Sequence, residues 1–145
     1  MIYDLHTWYL SGLPFVLAVA MSLASNAKFD GVLRDLGGTI RSQVDLEAVK
    51  EAINLSMVLA LAYIGVWVAM LAATGLFVAS GRTTMRGLIG HVFAFGVSTL
   101  PFGLWSKAVE KRFRAMKVEA TDPAVGEKWR RWLKEWGQAR LKLSD

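Results

Sequence analysis

The sequence predicts an all-α integral membrane protein with three transmembrane helices and an amphipathic C-terminal helix. Three observations carry this expectation. Residues 5–27, 52–81 and 87–106 contain no Asp, Glu, Lys or Arg, although 20% of the 145 residues are charged. Hydrocarbon rejects charge, and a helix needs about 20 apolar residues to cross it. The charged residues fall in the gaps between these blocks, and Lys and Arg crowd into two of the gaps.

The first span is predicted at about residues 5–27. A secretory leader would begin with a basic region, whereas Asp4 is the charge that precedes this block. The second span lies within residues 52–80. At about 1.5 Å per residue it exceeds a membrane core of about 30 Å, so it should tilt or protrude. The third span is predicted at about 88–105. Pro101 in its later half removes the hydrogen bond to the Val97 carbonyl and should kink it.

The segments between the spans also read as helical. In the elbow 28–51, Phe29, Val32, Leu33 and Leu36 fall on one helical face, and Gly37-Gly38 then breaks the helix. Asp45 is the expected N-cap of a helix that runs without interruption into span two. The outer link Gly81–Gly87 is short enough to make spans two and three antiparallel neighbours. Beyond Trp105 the helix is expected to extend through 106–120, with Val109, Phe113 and Met116 on one face and Glu110 and Arg114 spaced for an i,i+4 pair. Asp122 and Pro123 signal a new helix, N-cap then N1. In this last segment, 121–145, Val125, Trp129, Trp132, Leu133, Trp136 and Leu143 share one face. Lys128, Arg131, Glu135, Gln138 and Lys142 are assigned to the other, with Lys134 adding to its basic character. Tryptophan opposite Lys and Arg is the pattern of a helix lying in the headgroup plane, or of one packing its Trp face on a protein partner. The chain thus divides into a three-span part, 1–120, and a basic, Trp-rich helix, 121–145.

Orientation follows from Lys and Arg. Four lie in 28–51, namely Lys28, Arg34, Arg41 and Lys50, and the tail beyond Trp105 holds eleven of the 17 in the chain. The 81–87 link holds Arg82 and Arg86. The positive-inside rule therefore places the N-terminus outside and the C-terminus in the cytoplasm of a cell membrane, of the bacterial inner-membrane kind. Tyr3, Trp8 and Tyr9 at the outer end of span one and Trp105 at the inner end of span three fit aromatic belts. The net charge of +5 is accounted for by topology and anionic lipid. Nucleic acid is not an expected partner, since the basic residues are interleaved with acids and no recognition motif is present.

Little chemistry is encoded inside the spans. The chain lacks cysteine, which removes disulfides, thiolate metal sites and thiol nucleophiles. Its two histidines are His6 and His91, both near the predicted outer face. They form the weak candidate pair for a haem or metal, with hydrogen bonding to a neighbouring helix as the simpler role of His91. No metal or cofactor is expected. A hydrolase needs an acid, a base or an activated nucleophile, and the spans offer no such set, so the chain is not expected to be an enzyme. Thr74, Ser98 and Thr99 could line a polar pore in an oligomer. Glu47, Glu51 and Asn54 stack at the inner end of span two, either as a pore mouth or as a solvated helix start.

Packing signals are stronger. Gly65, Ala69 and Ala73 repeat every fourth residue along span two, and Gly90, Ala94 and Ser98 along span three. Such small-xxx-small stripes let helix backbones approach in lipid. Gly96, Thr99 and Gly103 make a second small face on span three, and Ala18 and Ser22 on span one could meet it. The expectation is a non-catalytic membrane subunit, with the bilayer and a homo-oligomer or larger complex as partners. An ion-conducting pore and an accessory subunit of a redox complex are the alternatives. In span number and orientation the layout is similar to the proton-channel subunits of TonB- and Tol-type systems, with a far shorter cytoplasmic segment, and to small phage holins. That topological resemblance would imply a pore.

Overall fold

The computed structural model describes residues 7–138 and 141–144. Three long helices follow in order, α1 (Tyr9–Leu36), α2 (Gln43–Ala79) and α3 (Met85–Arg114), and then a shorter α4 (Pro123–Trp136). Strands β1 (Thr39–Ile40) and β2 (Lys117–Val118) pair in parallel, Thr39 opposite Lys117 and Ile40 opposite Val118. The helices α1, α2 and α3 are each long and apolar enough to cross a membrane. The all-helical, multi-pass class is therefore as the sequence predicts.

The helix ends are set by local chemistry. After α1, Gly37 and Gly38 adopt φ of 60° and 75°. The Gly38 N–H reaches the Leu33 carbonyl and the Gly37 N–H the Arg34 carbonyl, the paired bonds of a Schellman cap that only a residue tolerant of positive φ completes cheaply. Gly81, φ 70°, closes α2 in the same way, with Arg82 N–H on the Phe77 carbonyl and Gly81 N–H on that of Val78. The start of α2 corrects the expected cap. Ser42 Oγ accepts from Asp45 N, and Asp45 Oδ2 accepts from the Ser42 and Arg41 amides. Ser42 is thus the N-cap, and Asp45, three residues on, completes a reciprocal capping box. The α4 start is as predicted, with Asp122 Oδ1 accepting from Ala124 N and Pro123 in the first turn. Helix α3 carries Pro101 in its interior.

The chain separates into two compact units. Unit 1 comprises Met1–Ser22 and Ala62–Leu104, and unit 2 comprises Leu23–Leu61 and Trp105–Asp145. These limits differ from the predicted division at residue 120. Ala52, Ile53 and Met57, assigned from sequence to span two, belong to the core of unit 2, and α4 folds into the same core.

Unit 1 has a small interior of Ala18, Met70 and Phe95, flanked by Phe15, Tyr63, Val66, Trp67 and Val92. The Trp67 ring meets Phe95 edge-on at 4.7 Å between centroids, and Tyr63 stacks on Phe95 at 6.2 Å. Such pairs are worth about 0.5–1.5 kcal/mol beyond the area they bury. Unit 2 has the larger core. Phe29 and Val32 of α1, Leu46, Val49, Ile53 and Met57 of α2, Val109 and Phe113 of α3, and Val125, Trp129 and Trp132 of α4 are all buried together. Ile40, fully buried, anchors the β-ladder in that core. The ladder ties the α1–α2 connection to the α3–α4 connection through Lys117 N to Gly38 O and Glu119 N to Ile40 O. Ion pairs ring unit 2: Lys28–Glu51 at 3.3 Å, Arg112–Asp30 at 3.0 Å and Arg114–Glu110 at 2.8 Å.

Candidate functional site

In unit 1 the polar groups collect around His91, which is fully buried. The first turns of α1 and its approach bring two hydroxyls to the ring. Thr7 Oγ1 lies 2.8 Å from Nε2, and Ser11 Oγ lies 3.2 Å from Nδ1. A neutral imidazole has one N–H donor and one acceptor nitrogen, while a hydroxyl can act as either. Each ring nitrogen already has a partner that a haem iron or metal would have to displace. His6, the other weak ligand candidate, lies outside the described residues. Among the described residues no cluster of three or more His, Cys, Asp or Glu side chains is placed to hold a metal. The Ser11–His91 distance would suit a nucleophile and its base, but Ser11, Thr7 and His91 are all buried, and Ser11 Oγ also donates to the Trp8 carbonyl at 3.2 Å. The geometry is that of interhelical polar glue.

Replacing His91 by leucine removes an imidazole from two buried hydroxyls. The expected cost is about 1–3 kcal/mol, read as a lower midpoint in denaturant titration of the protein in nanodiscs. His91→Gln, which can donate and accept, should recover part of the loss.

The three hydroxyl residues proposed from sequence as pore lining fall on different faces. Thr74 is buried and donates to the Met70 carbonyl at 2.7 Å. Thr99 is buried, donates to the Phe95 carbonyl at 2.9 Å and accepts from Tyr63 OH at 3.2 Å. Both are spent inside the chain, which corrects their assignment to a pore between subunits. Ser98 faces outward.

The small-residue stripes also divide. Gly90 is buried and Ala94 half-buried, so the early part of the span-three stripe faces the interior of unit 1. On α2, Gly65 and Ala69 are exposed, and Ala73 is half-buried. The reason is angular. The inward face of α2 is taken by Tyr63, Val66, Trp67 and Met70. Gly65 stands two residues from Tyr63 and from Trp67, about 200° round the helix from each. A Cβ added at Gly65, Gly96 or Gly103 would meet nothing within 4 Å. The smooth face of α2 is therefore turned away from its own chain. Only 11% of its most apolar stretch is buried, against 22% for α1 and 28% for α3.

In unit 2 the structure corrects the C-terminal helix. Trp129 and Trp132 meet neither lipid nor partner: both are buried in the core of their own chain. Trp136 packs on Phe29 and Phe113, with centroids 5.5 and 5.9 Å away, under the Arg114 guanidinium at 4.2 Å. Lys128 is half-buried, while Arg131 and Lys134 remain on the exposed side. The helix ends at Trp136, and Leu143 is buried in the same core. Glu135, assigned from sequence to the polar face, is buried and accepts from Ser144 N at 2.8 Å and from Ser144 Oγ at 2.7 Å. Asn54 Oδ1 accepts from Leu143 N at 2.7 Å, and Glu51, exposed like Glu47, pairs with Lys28. The tail contacts escaped sequence reasoning because irregular chain has no period. Their one local signal is Glu135 itself, three residues after Trp132 and hence on its side of the helix.

Among known proteins, no family model, no curated protein and no solved structure matches this chain.

Proposed function

We propose that the chain is a non-catalytic subunit of a membrane assembly, and that the outward face of α2 is where its spans meet another chain. The observation that carries this reading is the exposed Gly65–Ala69 stripe on the least buried of the three apolar helices. Lipid is as apolar as leucine, so helices in a bilayer associate by close backbone approach, and an outward glycine with open space above it permits that approach. The Lys and Arg distribution supports an orientation with the N-terminus outside and the 28–51 segment and the C-terminal tail in the cytoplasm. Unit 2, with its own large core and a rim of ion pairs, then serves as the part that faces soluble partners or its copies. Homo-oligomerisation is the form of assembly we favour, because the face is a property of this chain alone.

The test is mass measurement in nanodiscs or mild detergent. The intact chain should run as an oligomer or with a co-purifying partner. Gly65→Leu combined with Ala69→Leu should weaken association by roughly 10-fold or more, while leaving the fold intact, since nothing lies against Gly65. A strict monomer without partners, or an oligomer indifferent to this pair, defeats the reading.

A further inference from the structure

Leu143 and Ser144 are held as a ligand is held. Leu143 is buried in the core of unit 2, and the two residues before it, Leu141 and Lys142, are exposed. Around Leu143 and Ser144 the backbone groups are satisfied by side chains of the helices instead of by another strand. Asn54 Oδ1 accepts from Leu143 N at 2.7 Å. The Trp132 indole N–H donates to the Ser144 carbonyl at 2.9 Å. The Glu135 carboxylate takes both the Ser144 amide, at 2.8 Å, and its hydroxyl, at 2.7 Å. One apolar socket and three polar side chains from α2 and α4 thus read a dipeptide: a branched apolar side chain followed by a residue with a hydroxyl. Binding grooves for short peptides have this form, with side-chain sockets for specificity and hydrogen bonds to backbone for affinity.

Two features separate this contact from ordinary core packing. The buried partner, Glu135, is a carboxylate, which costs more to bury than any apolar residue and is tolerated where charge-assisted hydrogen bonds meet it. The tail also contributes a single buried side chain, so most of the core of unit 2 is built without it. We propose that Asn54, Trp132 and Glu135 form a peptide-recognition groove, and that the chain's own Leu143-Ser144 occupies it in cis. The groove binds a Leu-Ser segment as a separable ligand, and the tail keeps it closed.

The experiment is complementation in trans. The chain lacking residues 143–145 is placed in nanodiscs, and a labelled synthetic peptide of residues 138–145 is titrated into it, followed by anisotropy. Saturable binding is expected. The intact chain should take up the peptide at least about 10-fold more weakly, because its tail competes at high effective concentration. Glu135→Gln in the truncated chain should weaken binding by roughly 10-fold, since the charge behind two hydrogen bonds is lost. Peptides carrying Leu143→Asp or Ser144→Pro should bind no better than a scrambled control. Far-UV circular dichroism and limited proteolysis follow the fold of the truncated chain throughout. A truncated chain that stays folded and ignores the peptide overturns the proposal. So does one that unfolds, because the tail would then be part of the core and not its ligand.

Discussion

Trp132→Ala is expected to cost unit 2 about 3–5 kcal/mol, the range for truncating a large aromatic side chain in a packed core. Trp132 heads the fully buried side chains by volume and is completely enclosed. Its loss leaves a cavity in the core of unit 2, and it removes the donor that holds the Ser144 carbonyl. The ring also lies 5.4 Å from the Lys50 ammonium, a cation–π contact worth about 0.5–1 kcal/mol where solvent reaches it. Unfolding of the protein in nanodiscs, followed by tryptophan emission, should show the drop, and limited proteolysis should show cuts entering α4. Arg130→Ala, on the exposed side of the same helix, is the control and should shift stability by less than about 0.5 kcal/mol. If Trp132→Ala is as mild as Arg130→Ala and instead abolishes binding to anionic vesicles, the indole faces lipid and the core of unit 2 is wrongly built.

This prediction marks where sequence reasoning ran out. The spacing of Val125, Trp129, Trp132 and Trp136 is a property of one helix. It states that one side wants cover and is silent on what covers it, because lipid, a partner and the same chain all demand the same period. The cover is Phe29, Val49 and Phe113, contributed from far along the chain. The faces carrying Phe29 and Phe113 were themselves legible, and what was missing was their convergence. Caps were readable because they are local: Gly37-Gly38 and Asp122-Pro123 act where they stand, and at α2 the expected cap, Asp45, lies three residues past the true one, Ser42. The small stripes had the opposite fate. Gly65 and Ala69 announce that a backbone can come close, but which side of α2 receives its own chain is decided by Tyr63, Trp67 and Phe95, whose bulk fills the interior of unit 1. His91 stood out from sequence as an ionisable group in an apolar run. Its partners, Thr7 and Ser11, lie 84 and 80 residues away and are common residue types, so nothing but the fold could name them.

Two exposed valines on a single helix put the solvent itself to the test. Val68 is 61% exposed and lies in the apolar stretch of α2, while Val44, 79% exposed, lies in its first turn. In water the two substitutions Val68→Asp and Val44→Asp would be alike, each within about 0.5 kcal/mol, because an exposed carboxylate loses no hydration. Around a spanning helix they part company. Aspartate at the level of Val68 must enter hydrocarbon, at a cost of about 2.5–3.5 kcal/mol near the middle of a bilayer. Aspartate at position 44 sits beside the positive end of the helix dipole and should be neutral or gain about 0.3–1 kcal/mol. Membrane integration, scored by carbonate extraction and by glycosylation mapping of the 81–87 link, should fall sharply for Val68→Asp and stay unchanged for Val44→Asp. Equal tolerance at the two positions would mean that water reaches Val68. The outward face of α2 would then be exposed apolar surface of a soluble protein, and neither the spanning topology nor the assembly face drawn on it would stand. Unequal tolerance, with Val68 alone intolerant, ties the length of α2, its sparse burial and its outward glycine to one cause: the surrounding medium is lipid, so apolar surface needs no cover from the chain that carries it.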